Sequence, residues 1–207
     1  MKINVIQSVF TSNCYIIHID TNVYIIDPCV SVDNIKKYID QNDKVQGIFI
    51  THAHIDHIYY LEEVYNYFKC AVYGSKNSIN IINDNKKNCS MLFNLNKKID
   101  VNKIFYCYIL DKEVVDGKIL CISTPGHSAD SMCYIIDNAM FTGDTLFDGN
   151  VGRYDLYSSS CDDLVKSIKK IFEYKDMKIY PGHGASSNLA LQILRNEFVR
   201  DVILNKN

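Results

Sequence analysis

Five of the six histidines in this chain fall in three short strings, and each string directly follows an apolar run. Thr51-His52-Ala53-His54-Ile55-Asp56-His57 follows the run 45–50. Thr124-Pro125-Gly126-His127-Ser128 follows 118–123, and Pro181-Gly182-His183-Gly184 follows 177–180. A fourth polar string, Thr142-Gly143-Asp144-Thr145-Leu146-Phe147, closes the run 139–142. A strand that ends in a tight, glycine-assisted turn aims the next side chains into a cleft. The expected fold therefore gathers several strand ends around one place.

The residue types say what that place does. His52 and His54 are two apart, so on extended backbone they point the same way and can grip one ion. Asp56 and His57 open the following helix and can turn toward a second ion. Asp144 supplies a carboxylate, the ligand type able to bridge two divalent ions. Neutral imidazoles and carboxylates suit zinc, iron or manganese, with no thiolate to force zinc. An H-x-H-x-D-H string arises by chance in roughly one such chain in 2,000. A metal centre thus outweighs a set of histidines that merely cap a helix.

Periodicity supplies the frame. Strands are expected at 3–6, 14–19, 23–26, 45–50 and 71–73, and again at 104–110, 118–123, 132–136, 139–142 and 177–180. Helices are expected at 31–40 with Ser31 as the cap, then at 56–68, 161–172 and 187–204. Two sheets packed together and covered by helices fit this order. The 207 residues, 47% apolar, read as a single domain spanning 1–207. A net charge of −2 argues against a nucleic-acid partner. The longest apolar runs, about six residues, fall far short of a membrane span. Without a basic-then-apolar leader the expectation is a cytoplasmic protein whose eight cysteines are mostly buried and reduced. The segment 74–103 holds eight Asn and six Lys against two Asp. It reads as a solvated face, with Lys86, Lys87, Lys97 and Lys98 as the groups that would steer an anionic substrate if it is not.

THAHIDH, TPGHS, GDTLF and YPGHG resemble the signature motifs of the metallo-β-lactamase superfamily, and of its short glyoxalase II-like branch in particular. The likeness extends through NCYII, YIIDP, NCSMLF, GRYDL and LRNEF, nearly the whole chain. It implies an α/β fold, a four-layer αββα sandwich with a dinuclear site at one edge of the two sheets. It also implies that His52, His54 and His127 hold one metal, that Asp56, His57 and His183 hold the other, and that Asp144 bridges. The implied activity is a metal-dependent hydrolase cleaving hydroxyacyl-thiol thioesters through a metal-bound hydroxide, with Asp56 also orienting the water. Two divalent ions are expected, zinc first, with iron or manganese compatible.

The class B1 β-lactamases place a cysteine where this chain has Asp144, which argues against that activity. The chain ends about 20 residues beyond the last motif, where longer glyoxalase II enzymes carry thiol-recognition residues. A small-molecule thioester with a tolerant thiol half is therefore expected. A persulfide dioxygenase using one iron on His52, His127 and Asp144 is the alternative from another reaction class. A lactonase of the same superfamily is a further one.

Other residues have two readings each. Asp27 either holds a ligand histidine from behind or is a turn residue before Pro28. Arg153 either forms a buried brace with Asp155 or meets substrate, with the brace preferred. Tyr154 lines a substrate cleft or simply packs. His18 reads as an ordinary strand residue, and nothing marks Cys14 or Cys29 as reactive.

Overall fold

The structure, a computed structural model, describes residues 1–97 and 99–204. Lys98, one of the four lysines singled out above, lies outside the described residues. The chain divides into two compact units, Met1–Tyr108 and the stretch from Ile109 onward.

The first unit is a mixed sheet in the order β1-β2-β3-β4-β5-β6. Its strands are Lys2–Gln7, Asn13–Ile19, Asn22–Ile26, Lys44–Phe49, Ala71–Gly74 and Tyr106–Tyr108. The first three pair antiparallel through short turns, and β3 to β6 run parallel. Parallel neighbours need a crossover, usually a helix. Here α1 (Val32–Lys36), α2 (Ile55–Ile58), α3 (Leu61–Phe68) and α4 (Ser78–Ile82) lie in those connections. Strand alternation then sorts the faces. Ile16, Val23, Ile25, Ile48 and Val72 pack with Ile35 of α1 and Leu61 and Val64 of α3. Tyr24 and Phe49, the intervening residues, stand on the opposite face, where Phe49 stacks on Tyr73 at 4.7 Å.

The second unit is a mixed sheet in the order β12-β11-β10-β9-β8-β7. Its strands, in chain order, are Glu113–Val115, Ile119–Ser123, Met132–Ile136, Ala139–Gly143, Lys178–Pro181 and Ser187–Asn188. Only β10 and β11 pair in parallel, joined through α5 (Cys161–Ile171). Leu164, Ile168 and Ile171 of α5 pack with Ile122, Cys133, Met140 and Ile179 of the sheet. Leu189 of α6 (Leu189–Arg195) and Val199 of α7 (Glu197–Leu204) complete that cluster.

Two expected helices come out divided, for local reasons. The helix expected at 56–68 breaks at Tyr60, whose N–H donates to the Pro28 carbonyl at 3.0 Å instead of continuing the helix. The helix expected at 187–204 begins as an edge strand, because Ser187 and Asn188 pair antiparallel with β11. Asn188 then caps α6 by accepting from the Ala190 N–H at 2.9 Å, and Asn196, in extended backbone, separates α6 from α7. Asparagine competes with helix continuation through such bonds. The strand β7 lies where none was expected, and among the described residues no helix is long and apolar enough to cross a membrane.

Ser31 precedes α1 as expected, yet its side chain makes no cap bond and accepts instead from the Asn34 amide. Ser160, by contrast, accepts from the Asp163 N–H at 3.2 Å and caps α5. Replacing Ser160 by Ala should therefore cost about 1 kcal/mol of unfolding free energy, and Ser31→Ala only a few tenths. Paired urea denaturation curves measure the difference, and equal losses would show that the α5 cap bond contributes nothing.

Candidate metal centre

In the first unit the candidate ligand residues belong to one stretch after β4. Thr51 to His54 stay extended, and His54, at φ −68 and ψ 142, is the N-cap of α2. That single helical turn carries Asp56 and His57 back toward His52. The rings of His52 and His54 lie 4.6 Å apart between centroids, and those of His52 and His57 4.3 Å. Ligand atoms of His52 and His54 lie within 4.8 Å of each other, as do those of His52 and His57 and of Asp56 and His57. All four side chains are buried. Three imidazoles and a carboxylate converging out of water would be an expensive arrangement without a cation to share.

Asp27 holds this stretch in place. Its Oδ1 accepts from the Thr51 N–H at 2.7 Å, and its Oδ2 accepts from the Thr51 hydroxyl at 2.6 Å. The same Oδ2 lies 2.9 Å from Nδ1 of His57. A proton on Nδ1 donates to that carboxylate and leaves the Nε2 lone pair toward Asp56, whose Oδ2 is 3.5 Å away. Asp27 also has φ +53, a left-handed corner before Pro28. The turn conformation is what aims its carboxylate at His57. Ser12, which the sequence did not single out, donates its hydroxyl to Asp56 Oδ2 at 2.9 Å.

In the second unit three strand ends deliver one candidate ligand each. His127 follows β8, Asp144 follows β10 and His183 follows β11. The parallel pairing of β10 with β11 puts Gly143 beside Pro181, and the Gly182 N–H donates to the Gly143 carbonyl at 2.8 Å. Asp144 and His183 thus leave neighbouring strands side by side. Asp144 Oδ2 lies 3.5 Å from Nε2 of His127 and 3.6 Å from Nε2 of His183. His127 Nδ1 sits 2.8 Å from the Arg153 carbonyl, which accepts its proton. Gly152 makes that approach possible: a Cβ there would collide with the Asp144 carbonyl oxygen and lie 2.9 Å from His127 Nδ1.

Arg153 does pair with Asp155, at 2.9 and 3.0 Å, but not as the buried brace expected. Both side chains are about two-thirds exposed, at 65% and 67%. The contribution of Arg153 to the centre is its backbone carbonyl. Tyr154 is 45% exposed with its ring 5.8 Å from Phe198 of α7. In the lysine-rich segment Lys87 pairs with Asp84 and Lys103 with Asp100, as a solvated face would. His18 lies within β2, with Nδ1 3.4 Å from Asp43. Cys14 is fully buried, and burial pushes its thiol up, as does a hydrogen bond with Cys29.

Residues 8–183 match the family model described as the metallo-beta-lactamase superfamily. The chain belongs to that superfamily. A hydroxyacylglutathione hydrolase of Francisella philomiragia is 32% identical over 193 residues, covering 88% of this chain and 68% of that protein. A probable polyketide biosynthesis zinc-dependent hydrolase of Bacillus subtilis is 26% identical over 180 residues, 84% of this chain and 74% of its own. Among solved structures, the BLEG-1 B3 metallo-beta-lactamase superposes with a TM-score of 0.87 at 24% identity, covering 96% of this chain and 99% of that one. The fold is the metallo-β-lactamase fold, two mixed sheets flanked by helices, as the motifs implied. The protein is a metal-dependent hydrolase of this superfamily.

The bonds on Asp27 give a direct test. Asp27→Asn removes the negative charge that fixes the His57 tautomer and should weaken metal binding about 10- to 100-fold. Arg153→Gln, at an exposed ion pair, should change it by no more than about 2-fold. Competition titration against a chelator reads both. An Asp27→Asn protein that binds metal as tightly as the parent would remove Asp27 from this role.

Proposed function

We propose that the chain, acting as one hydrolase domain over 1–207, cleaves small hydroxyacyl-thiol thioesters at a dinuclear centre. In this reading His52, His54 and His127 hold one divalent ion, Asp56, His57 and His183 hold the other, and Asp144 bridges them. One observation carries it: a single carboxylate oxygen of Asp144 lies 3.5 Å from Nε2 of His127 and 3.6 Å from Nε2 of His183, the histidines assigned to different ions. The donor set fits, since imidazole and carboxylate ligands suit zinc, and also iron or manganese. Hydroxyacylglutathione hydrolase activity in a relative 32% identical supports the thioester class.

Two divalent ions held by these residues would supply Lewis acidity and make hydroxide available near neutrality. The protein's part is orientation and charge. Asp27 and the Arg153 carbonyl each take an Nδ1 proton, from His57 and His127. Both rings thereby present Nε2 as a neutral donor and cannot swing away. Ser12 donates to Asp56 Oδ2 and fixes the plane of that carboxylate, which accepts a hydrogen bond from the attacking water and sets its approach. Water adds to the thioester carbonyl, the C–S bond breaks, and acid and thiol leave. A thiolate is stable enough to depart with little protonation, so no general acid is required. No serine or cysteine nucleophile takes part.

Purified protein should hydrolyse a small hydroxyacyl thioester at a rate that rises through a single pKa near neutrality. A chelator should abolish the rate, and added zinc or manganese should restore it. Thiol alkylation should leave it largely intact, because burial pushes Cys70 and Cys133 up to about 11 and Cys121 up to about 12. Those thiols stay protonated and unreactive through the assay range. Asp144→Ala should lose activity and metal together, since two cations would face each other with less negative charge between them. Two metals and near-normal turnover in that variant would end the dinuclear reading. Oxygen uptake with a persulfide, in place of thioester hydrolysis, would end the hydrolase reading.

A further inference from the structure

Of the three candidate ligands in the second unit, His183 is held least by packing. Its side chain is 28% exposed, against 5% for His127 and 10% for Asp144. The loop that follows His183 turns on Gly184, at φ +77, and the loop that follows Asp144 turns on Gly149, at φ +79. Glycine enters that region freely, so neither turn fixes its own direction. A metal ligand needs its donor aimed, and here the aim has to come from partners beyond the two loops.

The residues after Asp144 form a hairpin. Leu146 bridges Val151, and the Phe147 N–H donates to the Asn150 carbonyl at 2.9 Å, which leaves Asp148 and Gly149 at the tip. Phe147 meets the His183 ring nearly at right angles, at 84°, with centroids 6.1 Å apart. Asp148 reaches the other loop. Its Oδ1 accepts from the Ser187 hydroxyl at 2.6 Å, and Ser187 opens β12, where that loop ends. Gln192 of α6 completes the tie. Its Nε2 donates to Asp148 Oδ1 at 3.1 Å and to Ser187 Oγ at 2.9 Å, and its Oε1 accepts from the Gly149 N–H at 2.8 Å.

These bonds have one sense only. The Gly149 N–H can only donate, so Oε1 faces it and Nε2 faces Asp148 and Ser187. Gln192 is fully buried, where an amide is stable only with its groups paired. The bonds from Ser187 and Gln192 hold the Asp148 carboxyl below its ordinary range, so it accepts them as a charged group, which strengthens both. Arg195 stands farther off, with Nη1 3.8 Å from the same oxygen. Ser187 and Gln192 both lie beyond residues 8–183, the stretch that the family model matches.

We infer that Asp148 is a positioning residue of the metal centre. Through Ser187 and Gln192 it fastens the hairpin after Asp144 to the loop after His183. The His183 ring thereby stays against Phe147, with its Nε2 toward Asp144. The inference rests on the ligand assignment proposed above and adds the residue that aims one of those ligands.

Its test is stepwise zinc titration of metal-stripped protein against a chelator. Asp148→Ala should weaken one of the two ions about 10-fold and leave the other within about 2-fold, since only one is assigned to His183. Asp148→Asn keeps an oxygen that accepts both bonds and loses only the charge facing Arg195, so it should bind as the wild type does. Ser187→Ala, which removes one of the two close donors, should give a smaller loss of the same kind and serves where Asp148→Ala folds poorly. In His183→Ala, adding Asp148→Ala should cost nothing further, because the carboxylate acts through that ring. Equal weakening of both ions, an Asp148→Asn protein as weak as Asp148→Ala, or additive losses in the double variant overturns the inference.

Nitrogen NMR of the histidine rings in metal-free protein separates this role from the dinuclear reading. The His183 signals, identified by their absence in His183→Ala, should shift in Asp148→Ala while those of His57 and His127 stay. If the wild type binds a single ion and those shifts still occur, the dinuclear reading falls and the positioning role stands. Unmoved His183 signals sink the positioning role whatever the metal content.

Discussion

Asp27 is a buried carboxylate whose two oxygens meet three donors: the Thr51 N–H, the Thr51 hydroxyl and the His57 ring. At 1% exposure such a charge is tolerable only if it is satisfied, so these bonds are obligatory rather than decorative. They bind the end of β3 to the residues after β4 at the place where the chain leaves the sheet to form the ligand stretch. The sheet supports the same junction. The Asp27 N–H donates to the Phe49 carbonyl at 2.9 Å, and the Ile50 N–H donates to Tyr73. Parallel pairing of β3, β4 and β5 therefore sets the height at which His52 begins, and Asp27 sets the direction in which His57 points.

The second unit solves the same orientation problem with different material. His127 gives its Nδ1 proton to a backbone carbonyl, that of Arg153, where His57 gives its own to a carboxylate. A carbonyl is neutral and cannot be replaced by substitution, so selection there acts on whatever lets the backbone come close. That residue is Gly152, where any side chain would meet the Asp144 carbonyl and the His127 ring.

The candidate cluster of histidines and carboxylates was legible in the sequence because spacing and strand ends are local. An H-x-H pair on extended backbone, an Asp and a His opening a helix, and three motifs each closing an apolar run need no tertiary information. The resemblance then extended that local reading to a named fold. What the sequence hid was set by distant partners. Ser12 looks like any turn serine until Asp56 comes within 2.9 Å of it, 44 residues on. Asn88 sits in a segment crowded with asparagines, and only its bonds to the Ile55 and Ser90 N–H groups distinguish it. Arg153 carried a charge that drew the eye, while its carbonyl does the positioning and its guanidinium lies at the surface. The divided helices failed for a related reason. Tyr60 and Asn196 look compatible with a helix in sequence, and the Pro28 carbonyl and an extended backbone, respectively, end it there.

The brevity of α2 has a further consequence. Four residues, Ile55–Ile58, are too few to repay the cost of starting a helix in water. This turn exists because Asn88 grips its first N–H, Asp27 holds His57, and Tyr60 bonds to Pro28 beyond its end. Two candidate ligands are thus mounted on a segment with no independent tendency to keep its shape. Free energy released when an ion binds such a segment is released as folding free energy. Ile55 and Ile58, at its two ends, are fully buried among the core residues of the first unit, so the aim of Asp56 and His57 lasts only as long as that packing and those bonds hold.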